Sequence, residues 1–204
     1  QFPKSNPVRY YERNLPRERE SSEDEYTRRY TWTANSLHWQ EPEPYGFSWS
    51  ALNPNVRLVL TRFQMDGYVG SSQSWEAISA WYDRLNRGRD LLSDEARATV
   101  QRLLDGVTDP AEKVARIYQY MQQNTRYVSI QLGIGGWQTV EAARVEEKGY
   151  GDCKALTNYT KALLKEAGIA AHEALNSAGG RTRKLIAGFP TSQYNHVILS
   201  VPMP

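Results

Sequence analysis

From Ser74 onward the apolar positions recur every three to four residues, with Trp75, Ile78, Trp81, Tyr82 and Leu85 on one stripe. That spacing predicts an amphipathic helix, capped by the Ser74 hydroxyl and stopped at Gly88. A second stripe, Ala96, Val100, Leu103 and Leu104, follows a capping Ser93 and ends before Gly106. A third begins at Asp109-Pro110, where Asp suits the cap and Pro loses no helical hydrogen bond. Its predicted inner face is Val114, Ile117, Tyr118 and Met121. Thr139 is placed to cap a short helix that ends near Gly149. The strongest helical pattern covers residues 153–167, with Leu156, Leu163, Leu164 and Ala167 inward and Gly168 as the stop.

Elsewhere the signal is strand-like. Residues 26–33, 56–60, 126–131, 169–176 and 194–201 are rich in aromatic and β-branched side chains or alternate in polarity. Pro42-Glu43-Pro44-Tyr45-Gly46 interrupts the first two, and Gly133-Ile134-Gly135-Gly136 reads as a flexible loop. No Lys-Ser or Lys-Thr pair follows those glycines, so they do not form a phosphate-binding loop. The expected architecture is α+β. Residues 1–73 supply the last strands of an incomplete upstream β-sandwich domain, and residues 74–204 form a core of helices and sheet. With Gln1-Phe2-Pro3 at its start and no signal peptide, the chain is read as a piece of something longer.

Charge narrows the function classes. Between Arg9 and Arg29 six Arg stand against six Asp or Glu, so this segment is read as a solvated edge or linker rather than a basic arm. The whole chain of 204 residues carries a formal net charge of +2. That balance, with no basic stripe, argues against nucleic acid as a partner. No apolar run is long enough for a membrane helix, so membrane insertion is not expected. A single Cys excludes an intramolecular disulfide framework, and one Cys with three scattered His shows no metal-ligand spacing.

That single cysteine carries the candidate chemistry. Cys153 follows Gly149-Tyr150-Gly151-Asp152 and opens the strongest helix. A helix N-terminus offers unpaired N–H groups and a positive dipole end, which favour a thiolate and a developing oxyanion. A lone cysteine is also commonly a small buried hydrophobe, and Cys153 is in phase with the inward leucines. The candidate base is His196, in Tyr194-Asn195-His196-Val197-Ile198-Leu199. Alternation puts Val197, Leu199 and Val201 on one face of that strand and His196 with Ile198 on the other. A sheet packed on the Cys153 helix can bring the two together only through the tertiary fold. His172 is a reserve base, and His38, beside Trp39, is expected on the surface or in the sandwich.

Gly149-Tyr150-Gly151-Asp152-Cys153-Lys154, a helix ending Ala167-Gly168-Ile169, and Asn195-His196-Val197 together resemble a bacterial transglutaminase-like core, over roughly residues 90–204. The upstream part, with Gly67-Tyr68 and Ser74-Trp75, is similar to the end of the β-sandwich domain that precedes this core in bacterial envelope proteins. The resemblance implies a papain-like fold and a Cys-His-Asp triad acting on protein or peptide amides, without a cofactor and outside the cytoplasm. It also points to Gln138, and less directly Trp137, as side-chain donors to an oxyanion. Two positions depart from the pattern. Ala155 stands where many relatives carry an acid, and no Asp or Glu follows Glu173, so the triad acid expected on a strand after His196 lies beyond Pro204 or is missing. The resulting expectation is cysteine-dependent acyl transfer through a thioester, as protease, amidase or transglutaminase-like enzyme. The alternative is a non-catalytic binding module that retains the fold.

Overall fold

The computed structural model describes residues 1–38, 41, 43–44, 46–47, 49–179 and 185–203, leaving out the side chain of Trp49. Of the residues read above as breakers or neighbours, Trp39, Pro42 and Tyr45 lie outside this description, and so does Pro204. The chain forms two compact units, Gln1–Trp81 with 180–193, and Tyr82–Gly179 with Tyr194–Pro204.

The first unit is built of short antiparallel strands. A sheet in the order β1-β4-β3 is made by β1 (Phe2–Pro3), β3 (Glu20–Glu23) and β4 (Thr27–Thr31). Strand β2 (Val8–Arg13) pairs with β5 (Asn55–Leu60), and β6 (Arg62–Met65) pairs with β7 (Tyr68–Ser71). A short helix α1 (Trp49–Leu52) precedes β5. The first 30 residues are therefore not a linker, and the reason lies in what their charges do. The Arg19 guanidinium lies 4.6 Å from the Tyr10 ring centroid and 4.1 Å from that of Tyr30, so it packs as a flat cap on an aromatic cluster. Tyr10, Tyr30 and Trp32 meet edge to face at 5.3–5.9 Å. Charge counting is blind to guanidinium–aromatic stacking of this kind. The β6–β7 turn is Asp66-Gly67, with φ of +47° and +84°, the two left-handed residues that a tight hairpin needs.

In the second unit most of the caps and periods read from sequence form as expected. Helix α2 (Trp75–Asn86) runs out of the first unit. Helix α3 (Asp94–Leu103) is capped by Ser93, whose hydroxyl accepts from the Ala96 N–H at 3.0 Å. Helix α4 (Pro110–Asn124) is capped by Asp109, and α5 (Ala142–Lys148) ends at Gly149. Helix α6 (Cys153–Glu166) is the centre of the unit. Its Ala155, Tyr159, Ala162, Leu163 and Leu164 pack with Val100 of α3, Ile117 and Met121 of α4, and Ala142 and Val145 of α5. Each fully buried leucine contributes on the order of 1.5–3 kcal/mol. The antiparallel pair β10 (His172–Asn176) and β11 (His196–Ser200) covers α6, with Leu199 and Val201 packed against the cluster.

Four local expectations fail. Tyr118, placed on the inner face of α4, is half-exposed. Only β8 (Arg126–Tyr127) of residues 126–131 is strand, because its parallel partner β9 (Tyr150–Gly151) is two residues long. That partner cannot extend, since Gly149 is left-handed on one side and α6 starts on the other. Gly133–Gly136 is a 3-10 turn rather than a loose loop. Thr139 does not cap α5: Glu141 sits at that position, and the Thr139 N–H donates instead to Asn86 Oδ1 at 2.7 Å.

Tyr82 and Tyr159 are buried, and burial pushes both phenols up from the usual tyrosine range; for Tyr82 the Glu173 carboxylate adds to this. Unfolded tyrosines lose their proton near pH 10 while these keep it, so above that pH the unfolded state binds fewer protons and stability falls. Each phenol contributes a slope of about 1.4 kcal/mol per pH unit there. Urea unfolding of Tyr159→Phe between pH 9 and 11.5 is expected to show a slope shallower by that amount. An unchanged slope would contradict it.

Candidate active site

The chain reaches Cys153 through two glycines with different jobs. Gly149 closes α5 at φ +64°, its N–H donating to Val145 O at 2.9 Å. At Gly151 a Cβ would stand 2.7 Å from the Ala155 Cβ, so any side chain there would push the strand away from the start of α6. Asp152 then caps α6: its Oδ1 accepts from the Ala155 N–H at 3.0 Å, and its Oδ2 accepts from Lys154 Nζ. Both charged side chains are almost fully buried, at 5% and 4% exposure, so the negative charge next to Cys153 is matched within the same turn.

Cys153 is a free thiol, buried, at the first position of α6. It lines a cavity together with His196, Tyr127, Tyr118, Met121 and Thr157. His196 is the first residue of β11, half-buried, and stands directly across the ladder from Asn176. Thr157 Oγ1 donates to Val197 O at 3.4 Å, tying β11 to α6 one turn beyond the cysteine. The structure thus brings the two principal candidates, far apart in sequence, to one cavity.

The supporting candidates are placed elsewhere. Gln138 Nε2 donates to Leu85 O at 3.0 Å, and the residue lines a second cavity with Val128, Ile130, Leu132, Arg144 and Asp152. Trp137 ends the 3-10 turn, its N–H donating to Ile134 O at 2.8 Å, and lines neither cavity. His172 is exposed at the start of β10, opposite Ser200, and is not among the residues lining the Cys153 cavity. His38 is exposed in the first unit. Glu173, the last acid of the chain, has a side chain only 6% exposed and committed to the Tyr82 hydroxyl at 3.0 Å and Lys161 Nζ at 2.8 Å.

Sequence reasoning missed Tyr127. Parallel pairing puts it level with Gly151: Arg126 N donates to Gly149 O at 3.0 Å and Val128 N to Gly151 O at 2.9 Å. Its phenol comes within interaction range of the Cys153 sulfur and the Ser129 hydroxyl. Tyr127 is 55% exposed; what burial its phenol has raises its proton affinity, and the charges at Cys153 and Asp152 add to that. No sequence signal marks this contact, because nothing in residues 126–127 or 150–151 announces that they pair.

The sequence profile of the Transglutaminase-like superfamily matches residues 97–204, just over half of the chain. The protein belongs to that superfamily. The fold is also that of a crystal structure of a "putative protease" from Parabacteroides distasonis, with a TM-score of 0.65 and 18% identity. That alignment covers 98% of this chain and 36% of the other, so the chain spans about a third of the length of that protein. No curated protein matches the sequence.

Proposed function

We propose that the protein is a cysteine-dependent acyl-transfer enzyme acting on protein or peptide amides. The observation that carries this reading is the meeting of Cys153, at the N-terminus of α6, and His196, at the start of β11, on one cavity. Cys153 attacks the carbonyl carbon as a thiolate, the C–S bond forms, and the carbonyl electron pair moves to oxygen. Collapse of that intermediate breaks the C–N bond, and His196 gives the leaving amine its proton. Water or a second amine then takes the acyl group from the thioester. The same reading takes the N-terminal sheets as the end of a β-sandwich domain and places the protein outside the cytoplasm. Among the described residues no helix is long and apolar enough to cross a membrane.

The test offers fluorescent casein together with a dansylated alkylamine. Peptide release without dansyl incorporation is the outcome for a hydrolase, and incorporation is the outcome for amine transfer. If the protein does neither and binds casein without changing it, the non-catalytic alternative replaces this reading.

A further inference from the structure

We propose that Tyr127 supplies the side-chain donor of the oxyanion site, its phenol bonding the carbonyl oxygen as Cys153 attacks. This rests on the acyl-transfer reading above. Three observations lead to it. The β8–β9 ladder fixes Tyr127 beside Gly151, two residues before the nucleophile, by backbone hydrogen bonds rather than a mobile loop. The phenol lines the cavity shared by Cys153 and His196 and reaches toward the sulfur. Gln138, the donor that resemblance alone suggests, spends its amide on Leu85 O and faces the other cavity.

The chemistry suits a phenol. Tyr127 is 55% exposed, and a phenol keeps its proton at neutral pH, so the side chain is in its donating form. The Ser129 hydroxyl lies two residues on, within range of the Tyr127 oxygen, and can donate to it, leaving the phenolic proton for a second acceptor. In the resting enzyme that acceptor is the Cys153 sulfur. During attack negative charge leaves sulfur and appears on the carbonyl oxygen, and the phenol follows it, while N–H groups of the first turn of α6 approach the same oxygen. No proton is transferred from Tyr127 in this step. When the intermediate collapses, the oxygen becomes a carbonyl again and the bond weakens.

The experiment compares two reactions of Cys153 in the whole protein. Acylation by 4-nitrophenyl acetate passes through an oxyanion, whereas alkylation by iodoacetamide does not. Loss of one oxyanion donor costs about 10²–10³ in rate. Tyr127→Phe is therefore expected to slow acylation by that factor while alkylation stays within about threefold, with Cys153→Ala as the blank. Equal loss in both reactions overturns the proposal, because Tyr127 would then act on the thiol alone. No loss in either also overturns it. If Cys153 of the wild-type protein reacts with neither reagent, the nucleophile reading itself falls, a result distinct from both. Should Tyr127→Phe melt early, Ser129→Ala provides the second variant: a smaller loss confined to acylation is expected, and its absence counts against the relay.

Discussion

Cys153→Ala is expected to remove casein turnover completely, and His196→Ala to leave about one part in 10²–10⁴ of it. The two losses differ because the roles differ. Without sulfur there is no atom to form the acyl bond, and nothing else lining the cavity is a comparable nucleophile. Without the imidazole the sulfur still stands at the helix N-terminus, but the leaving amine departs without an acid to protonate it. The double variant should be no slower than Cys153→Ala, since the residues act as one unit. His172→Ala is the control. It is exposed and off the cavity, so turnover should stay within about twofold of wild type. A collapse in His172→Ala with His196→Ala unaffected would move the base to β10. Neither histidine is fully buried, so thermal melting of each variant close to wild type separates lost chemistry from lost structure.

Much of this architecture was legible because the helices carry their own punctuation. Ser93 and Asp109 sit at the caps they were expected to occupy, and of the inward leucines of α6 Leu163 and Leu164 are fully buried while Leu156 is partly so. The placement of Cys153 at a helix start also followed from sequence, since two glycines and a capping Asp force the chain to turn there. The failures with consequences for the site share a cause: they concern pairings between segments distant in sequence. Strand β8 is short because β9 is short, which no window over residues 126–131 can reveal. Arg19 became an aromatic cap only once β2 and β4 brought Tyr10 and Tyr30 together. Tyr127 is the same case with consequences for chemistry, because a two-residue parallel ladder brings its phenol to the cysteine. The Gln138 amide illustrates the converse. The resemblance pointed to it as a donor, but its Nε2 donates to the Leu85 carbonyl near the end of α2.

Lys154→Met is expected to destabilise the protein by about 3–5 kcal/mol, lowering its melting temperature by roughly 6–20 °C. The size of the effect comes from what is left behind rather than from the bond that is lost. Lys154 and Asp152 are nearly inaccessible to water, so removing the ammonium strands a buried carboxylate that keeps its bond from the Ala155 N–H but loses its counter-charge. An exposed pair of the same kind, such as Arg87 with Asp83, would cost about 1 kcal/mol or less. Adding Asp152→Asn should restore most of the loss. Asparagine still caps the helix, and the double variant buries no unpaired charge. Reactivity supplies an independent reading of the same pair. Cys153 lies between the two charges in sequence, so an unmatched Asp152 opposes thiolate formation beside it. Alkylation by iodoacetamide at neutral pH should slow in Lys154→Met and recover in the double variant. A single variant that melts within a degree or two of wild type would show that water reaches Asp152. The pair would then be a surface contact, and the claim that it holds the start of α6 in place would be wrong.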